Sequence, residues 1–383
     1  MTPTEILQRL DGWRDAGWLR RLDAAFARFI HELDADTPAS LLLAAALAAH
    51  LEGRGHSGLP IADVLADPHV LLSWPPESVE ELRAALGCWP IDAVARHHEW
   101  RDAAAVELEP VDETGASPLV ESGGLLYLRR YWRYESRVAA QIRTRAVGLS
   151  DEINKGVARA LLDRLFEPRP ATEGLDWQKI ACALALRGRL TLITGGPGTG
   201  KTYTAARLLV LLQTLHTGPQ PMRVAMAAPT GKAAARLRQS ISNALQGLGD
   251  PLAASLGLER WASSLGSART LHSLLGTQPG TRRFRHDAEN PLDVDLLFVD
   301  EASMVHLEMM AQLLEALSAT LGQSLQKILN MLLEQQSRTL LLTQQVSIML
   351  RRRGAAVSNL LFADYHAVLS VSSQAHPADG APY

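Results

Sequence analysis

Apolar positions along this chain change their spacing several times, and each change marks a different kind of structure. From Met1 to about residue 110 they recur at helical spacing. The densest block, Leu41 to Leu51, is apolar nearly all round, which predicts a helix buried on every side. Asp36-Thr37-Pro38 reads as its start, with Thr37 as the cap and Pro38 as the first helical residue; Gly53 reads as its stop. Pro118–Val120 and Leu125–Leu128 then flank Glu121-Ser122-Gly123-Gly124, a β-hairpin pattern. A basic helical stretch follows from Arg129 to Arg145. It reads as a solvated face, with nucleic acid as the rival partner for its arginines. Glu167-Pro168-Arg169-Pro170 reads as a linker.

From Ala171 the pattern becomes short apolar runs, each followed by a loop and a helix. Leu190–Thr194 precedes a helical run from Tyr203 to Leu212. Val224–Ala228 leads into Pro229-Thr230-Gly231-Lys232 and a helix carrying Arg236 and Arg238. Asp295–Val299 is a near-continuous apolar run suited to a strand buried on both faces. Strand, loop, helix and strand in this order predict an α/β fold with a parallel sheet. The composition shifts near residue 318: nine glutamines fall in residues 1–317 and seven in the remaining 66, so the tail is treated apart from the α/β core. In it Leu321, Leu325, Ile328 and Leu332 repeat at spacings of 4, 3 and 4 residues, which predicts a short amphipathic helix. Leu342, Val346 and Met349 continue that pattern, Arg351-Arg352-Arg353-Gly354 reads as its end, and Ser372–Tyr383 reads as disordered. The expected organisation is a helical N-terminal domain over 1–115 and a hairpin and helix linker over 116–170. A phosphate-loop α/β domain follows over 171–317, then a helical or disordered tail over 318–383.

Composition changes this picture little. The chain has 383 residues, 47% hydrophobic and 21% charged, with a formal net charge of −3, so any nucleic-acid contact must run through local basic positions. Two cysteines, Cys88 and Cys182, lack metal-ligand spacing and fit a reducing, cytoplasmic setting. Met1–Leu10 is polar and carries Glu5, unlike a signal peptide, and Leu41–Ala49 is too short to span a bilayer. Trp13, Trp18, Trp74, Trp89 and Trp100 gather in the N-terminal region. They read as small-domain core or, alternatively, as a partner-docking face.

The candidate chemistry begins at residues 195–202, Gly195-Gly196-Pro197-Gly198-Thr199-Gly200-Lys201-Thr202. This is a G-x-x-x-x-G-K-[ST] phosphate loop between a strand-like and a helix-like run. Glycines let the backbone wrap an anion with its N–H groups inward. The helix N-terminus adds a positive dipole end, Lys201 reaches the terminal phosphates, and Thr202 offers a hydroxyl to Mg²⁺. Asp300-Glu301-Ala302-Ser303 ends the last apolar run, where α/β sheets bind ligands. Asp300 can hold Mg²⁺ through water, and Glu301 can orient and deprotonate an attacking water. Such an acidic pair can also be a plain helix cap; its coupling to a phosphate loop favours catalysis.

The motifs together resemble the RecD family, the alpha subunits of exodeoxyribonuclease V (the RecBCD complex), which are superfamily 1 DNA helicases. The resemblance rests on Trp177-Gln178-Lys179, Ile193 through Thr202, Ala228-Pro229-Thr230-Gly231-Lys232-Ala233-Ala234, Thr270-Leu271-His272 and Val299-Asp300-Glu301-Ala302-Ser303-Met304, in that order. The N-terminal helices and Leu125-Leu126-Tyr127-Leu128-Arg129-Arg130-Tyr131-Trp132 extend it over roughly residues 1–317. It implies a RecA-like motor domain using ATP and Mg²⁺, with Gln178 reading the adenine edge. It also implies single-stranded DNA contacts at Pro229, Thr230, Lys232, Thr270 and His272, RecB/RecC-like partners, 5′→3′ movement, and a role in double-strand break repair and recombination.

Members of that family continue past the Asp-Glu strand to a Gly-Asp…Gln motif and a second RecA-like domain with an arginine finger. Neither pattern occurs after Leu317 here, and Arg351–Arg353 sit in no such motif. Two readings follow. One is a RecD-type ATP-dependent helicase subunit, shortened and impaired. The other is a non-motor ATP-binding protein that docks to RecB/RecC-like partners.

Overall fold

The computed structural model describes residues 1–66, 71–87, 89, 92–146, 153–168, 170, 174–186, 188–195, 198–247, 261–262, 265–281, 283–317, 327–333, 360–363 and 366–369, the last three segments by their backbone alone. Two compact units divide at Arg137–Val138.

The first unit is built around the apolar helix, Ala39–Glu52, in which every residue from Ala39 to Leu51 is buried. Helices Pro3–Asp15 and Arg21–Leu33 pack on it and share its core. The helix starts one residue later than the sequence pattern placed it. Pro38 has extended backbone and Ala39 is the first helical residue. Thr37 does not cap the helix; its hydroxyl donates to the Asp34 carbonyl at 2.7 Å, closing the preceding turn. Gly53 ends the helix as expected.

Four of the five tryptophans, Trp13, Trp74, Trp89 and Trp100, are buried in this core, and Trp18 packs against it. Trp13 meets Trp74 edge-on at 5.1 Å, and Trp100 donates to Ser40 Oγ at 2.9 Å. They are core residues; the ring N–H groups of Trp13, Trp74 and Trp100 donate to Glu81, His50 and Ser40, whereas that of Trp89 is buried without a partner among the described residues.

The hairpin forms as predicted, β3 (Leu119–Ser122) with β4 (Leu125–Leu128), turning at Gly123-Gly124. It belongs to the N-terminal unit and is no part of a linker. Two three-residue strands flank it, β1 (Gly58–Pro60) antiparallel to β4 and β2 (Val106–Leu108) parallel to β3. Three residues are too few to show alternation, so β1 and β2 had no signature in the sequence. The basic helix spans Arg129–Ala146. Its arginines serve structure. Arg129 pairs with Glu107, Arg130 with Glu52 at 3.0 Å, and Arg137 with Glu113 at 2.9 Å.

In the second unit a seven-stranded sheet runs in the order β10-β11-β5-β9-β8-β6-β7. These strands are β5 (Leu190–Gly195), β6 (Val224–Ala228), β7 (Arg269–Thr270), β8 (Leu296–Asp300), β9 (Lys327–Leu333), β10 (Leu360–Ala363) and β11 (His366–Leu369). The five strands from β5 to β7 are parallel, and β11 joins β5 antiparallel. Helix Lys201–Leu215 lies against the sheet core with Leu208–Leu212 buried, beside helices Lys155–Leu165, Trp177–Ala185 and Gly231–Gln246. Arg145 donates to the carbonyls of Leu314 and Leu317 at 3.0 and 2.8 Å, capping the end of helix Leu307–Glu315.

The tail departs from its expected helix. Ile328 and Leu332 lie in β9, which inserts in parallel between β5 and β8. A run such as Ile328 to Leu333 can satisfy a strand flanked on both edges as well as a helix face, and the open slot decides for the strand. Leu321, Leu325, Leu342, Val346, Met349, Arg351–Arg353 and Ser372–Tyr383 lie outside the described residues.

Candidate active site

The phosphate loop joins the C-terminal end of β5 to the helix that begins at Lys201. Gly198 and Gly200 both take positive φ, at 75° and 77°. A Cβ at Gly200 would lie 2.4 Å from Gln178 Nε2, the movable end of that side chain. Gly196 and Pro197 lie outside the described residues. Lys201 is buried in the first turn. Its ammonium donates to the Gly195 carbonyl and lies 3.5 Å from Thr199 Oγ1. Thr202 follows it, half-buried.

Gln178 reaches the same loop from another helix. Asp176 caps helix Trp177–Ala185, accepting from the backbone N–H groups of Gln178 and Lys179 at 3.1 and 3.0 Å. That cap fixes the first turn, and Gln178 Nε2 donates to the Thr199 carbonyl at 2.9 Å.

The carboxylate pair sits at the end of β8, two strands from β5. The intervening strand is β9, whose register places Leu333 opposite Gly195 and Met331 opposite Asp300. Asp300 is buried, and Glu301 takes φ +54°, a left-handed conformation uncommon for a side-chain-bearing residue. The turn folds the Glu301 N–H back onto Asp300 Oδ1 at 2.9 Å. Strain of this kind, roughly 1–3 kcal/mol, is found where function holds a residue in place.

The electrostatics tie the two halves together. Burial pushes the Lys201 ammonium below its ordinary value, against the pull of Asp300 and Glu301. Burial, then the Glu301 charge, push Asp300 up to about 6, although the Glu301 backbone N–H and Lys201 draw it down. A buried carboxyl so displaced is short of positive charge. A hard divalent cation would supply it, and the oxygen donors here suit Mg²⁺.

The other sequence-predicted residues follow β6 and β7, the strands on the opposite side of β8 from β5. Ala228 stands opposite Thr270 in the β6–β7 register, so the loops after these two strands are neighbours. Thr230 and Thr270 each cap a helix, accepting from the Ala233 and Ser273 N–H groups at 3.2 Å. Pro229 is half-buried, while Lys232 and His272 are exposed.

One cluster had no sequence signal beyond a single arginine in an apolar helix. The buried Arg207 guanidinium lies 3.2 Å over the Tyr203 ring and donates through Nε to the Leu165 carbonyl at 2.7 Å. Tyr203, one residue past Thr202, also meets Phe166 edge-on at 6.2 Å.

Comparison with known proteins fits this geometry. The family model described as RecBCD enzyme subunit RecD, N-terminal domain, matches residues 15–127, and an AAA domain model matches residues 178–329. RecBCD enzyme subunit RecD of Haemophilus influenzae is 37% identical over 247 residues, which cover 62% of this chain and 36% of the relative. The chain is RecD-like. RecBCD enzyme subunit RecD of Mycolicibacterium smegmatis is 40% identical over 252 residues, covering 62% of the RecD-like chain and 42% of the relative. ATP-dependent RecD2 DNA helicase of Deinococcus radiodurans is 32% identical over 218 residues, covering 55% and 26%. The RecD-like chain thus spans 36–42% of the length of the first two relatives. No helix among its described residues is long and apolar enough to cross a membrane.

Proposed function

We propose that this RecD-like chain binds and hydrolyses Mg·ATP as the first motor domain of a DNA helicase subunit. It would act on single-stranded DNA in double-strand break repair and recombination, with 5′→3′ polarity and in the cytoplasm. Its N-terminal unit would dock to RecB/RecC-like subunits. One observation carries the nucleotide reading: the buried Lys201 ammonium, in the first turn after the loop, sits in the field of Asp300 and Glu301.

The roles follow from the chemistry. The loop N–H groups and Lys201 hold the phosphates. Gln178, fixed by the Asp176 cap, contacts the adenine edge. Thr202 and Asp300 would hold Mg²⁺, which when bound neutralises phosphate charge. Glu301, turned out of the strand by its positive φ, orients the attacking water and takes its proton. Pro229, Thr230, Lys232, Thr270 and His272 contact the DNA strand.

Calorimetry tests the nucleotide reading. Wild type binds Mg·ATP, Lys201→Ala does not, and equal affinity in both would sink it. Glu301→Gln keeps binding while lowering turnover by roughly 10²–10⁴.

A second reading, ATP binding without translocation, draws on the sequence of β9. That strand follows the Asp-Glu strand in the chain, and no Gly-Asp…Gln run occurs in it or after it. On this reading the purified 383-residue chain hydrolyses ATP slowly, with little stimulation by single-stranded DNA. Strand separation by the purified chain, abolished by Glu301→Gln, would reject this second reading.

A further inference from the structure

Helix Arg21–Leu33 is apolar on two faces, and the fold of the first unit uses only one of them. Asp23, Ala24, Ala27 and Ile30 face inward and are buried. On the other side Leu22, Phe26, Phe29 and Leu33 recur at spacings of 4, 3 and 4 residues, which sets them in one stripe along the helix. Leu22 is 64% exposed, and Phe29 and Leu33 are each 50% exposed. Phe26 is half-buried and stacks on Phe29, with ring centroids 6.3 Å apart. A surface helix ordinarily turns charged and polar residues to solvent, so this second apolar face asks for a partner.

The stripe is symmetric about its own centre. Leu22 and Leu33 are equidistant from the midpoint between Ala27 and Arg28, and so are Phe26 and Phe29. A copy of the helix laid antiparallel across a two-fold axis therefore sets Leu22 against Leu33 and Phe26 against Phe29, each contact made twice. The charges beside the stripe follow the same order. Arg21 and Glu32 lie on one flank at opposite ends of the helix, about 16 Å apart along its axis, too far to pair with each other. Both are exposed, and neither makes an ion pair among the described residues. Their neighbours Arg20 and Arg28, by contrast, are held by Asp23 and Asp11. Antiparallel packing brings Arg21 of one copy beside Glu32 of the other.

We propose that this face is a self-association surface, on which helix Arg21–Leu33 of a second copy of the chain packs antiparallel. Symmetry and charge complementarity argue for that occupant. An unrelated partner has no reason to match apolar spacings that mirror each other about the helix centre, or a free cation and a free carboxylate at opposite ends of one flank. A second copy matches both. The contact is small: a helix of 13 residues is roughly 20 Å long. Two such helices bury less than the about 1,200–2,000 Å² of a stable specific complex, which puts the association in the micromolar range. The contact uses the first unit alone and is independent of the nucleotide and DNA readings.

The test is sedimentation velocity of the full chain at low salt. Wild type should pass from monomer to dimer between about 1 and 100 μM. Phe29→Glu should stay monomeric over that range, with thermal unfolding like that of wild type because the side chain it replaces faces solvent. Arg21→Glu and Glu32→Arg each set two like-charge pairs across the interface, so each should weaken the dimer by about 2- to 30-fold. The two substitutions together restore opposite charges and should recover wild-type affinity. A wild-type chain that stays monomeric, or a dimer that survives Phe29→Glu, overturns the proposal. A dimer lost in Phe29→Glu but not recovered when the two charges are exchanged overturns the antiparallel packing.

Discussion

At the scale of single residues, the buried polar groups divide into those that stabilise and those that wait for a ligand. Asp23 is fully buried in the first unit. Arg20 pairs with it at 2.6 Å, His50 Nδ1 lies 3.2 Å away, and Trp74 Nε1 donates to His50 Nε2 at 3.1 Å. That chain of bonds fixes the tautomer, since Nε2 accepts and Nδ1 must carry the proton given to Asp23. Burial alone would raise the Asp23 carboxyl, but the bonds from His50 and Arg20 hold it below its ordinary value. A depressed carboxyl stabilises the fold above its unfolded-state pKa, near 4, and that stability is lost as pH falls through the folded-state value. Asp23→Asn should therefore destabilise the chain by about 3 kcal/mol in urea at pH 7 and flatten the acid limb of its stability curve. Cys182 is the opposite case. It is fully buried, and burial pushes its thiol far up, so Cys182 should resist a thiol reagent at pH 8 until the protein unfolds. Labelling of Cys182 at the rate of a free thiol in native buffer would contradict its placement.

Elements explain how distant residues come to share a site. Phe298, in the middle of β8, is fully buried and belongs to the same core as helix Lys201–Leu215. Phe298→Ala should cost about 3–5 kcal/mol by cavity formation, measured by denaturant unfolding, and should loosen the seat of Asp300 two residues on. The loop has a different sensitivity. Gly200→Ala meets an unfavourable φ in the phosphate loop, so nucleotide affinity should fall at least tenfold while the melting temperature moves little. An unchanged affinity would mean that the loop binds nucleotide without the left-handed backbone at Gly200.

At the scale of the whole molecule, β9 is the element on which the second unit depends most. Among the described strands it alone pairs with both β5 and β8, and so joins the strand of the phosphate loop to that of the carboxylates. A chain ending at Leu317 would lack β9, β10 and β11 and leave both edges of β5 and one edge of β8 unpaired, and unpaired edges promote aggregation. Sedimentation and thermal unfolding should show that shorter chain aggregating or losing its cooperative transition. A soluble monomer with unaltered Mg·ATP affinity would show that the sheet closes without β9.

The sequence by itself determined what is local. Eight consecutive residues specify the phosphate loop because its chemistry needs glycine φ values, a helix start and a lysine at fixed spacing. The apolar run into Asp300-Glu301, the buried Ala39–Glu52 helix and the hairpin were legible because burial imposes a period on the residues involved. Tertiary structure decided what periodicity leaves open. Ile328 and Leu332 fit a helix seam until an open slot between two strands made them strand residues, because backbone hydrogen bonds along both edges outweigh one weak amphipathic face. The Arg129–Ala146 arginines fit a solvated or nucleic-acid-binding face until carboxylates and carbonyls far along the chain took them up. Arg21 looks no different in sequence from those arginines. Only the folded chain shows which are already paired, because an ion pair depends on what lies nearby in space, and spacing along the chain does not record that.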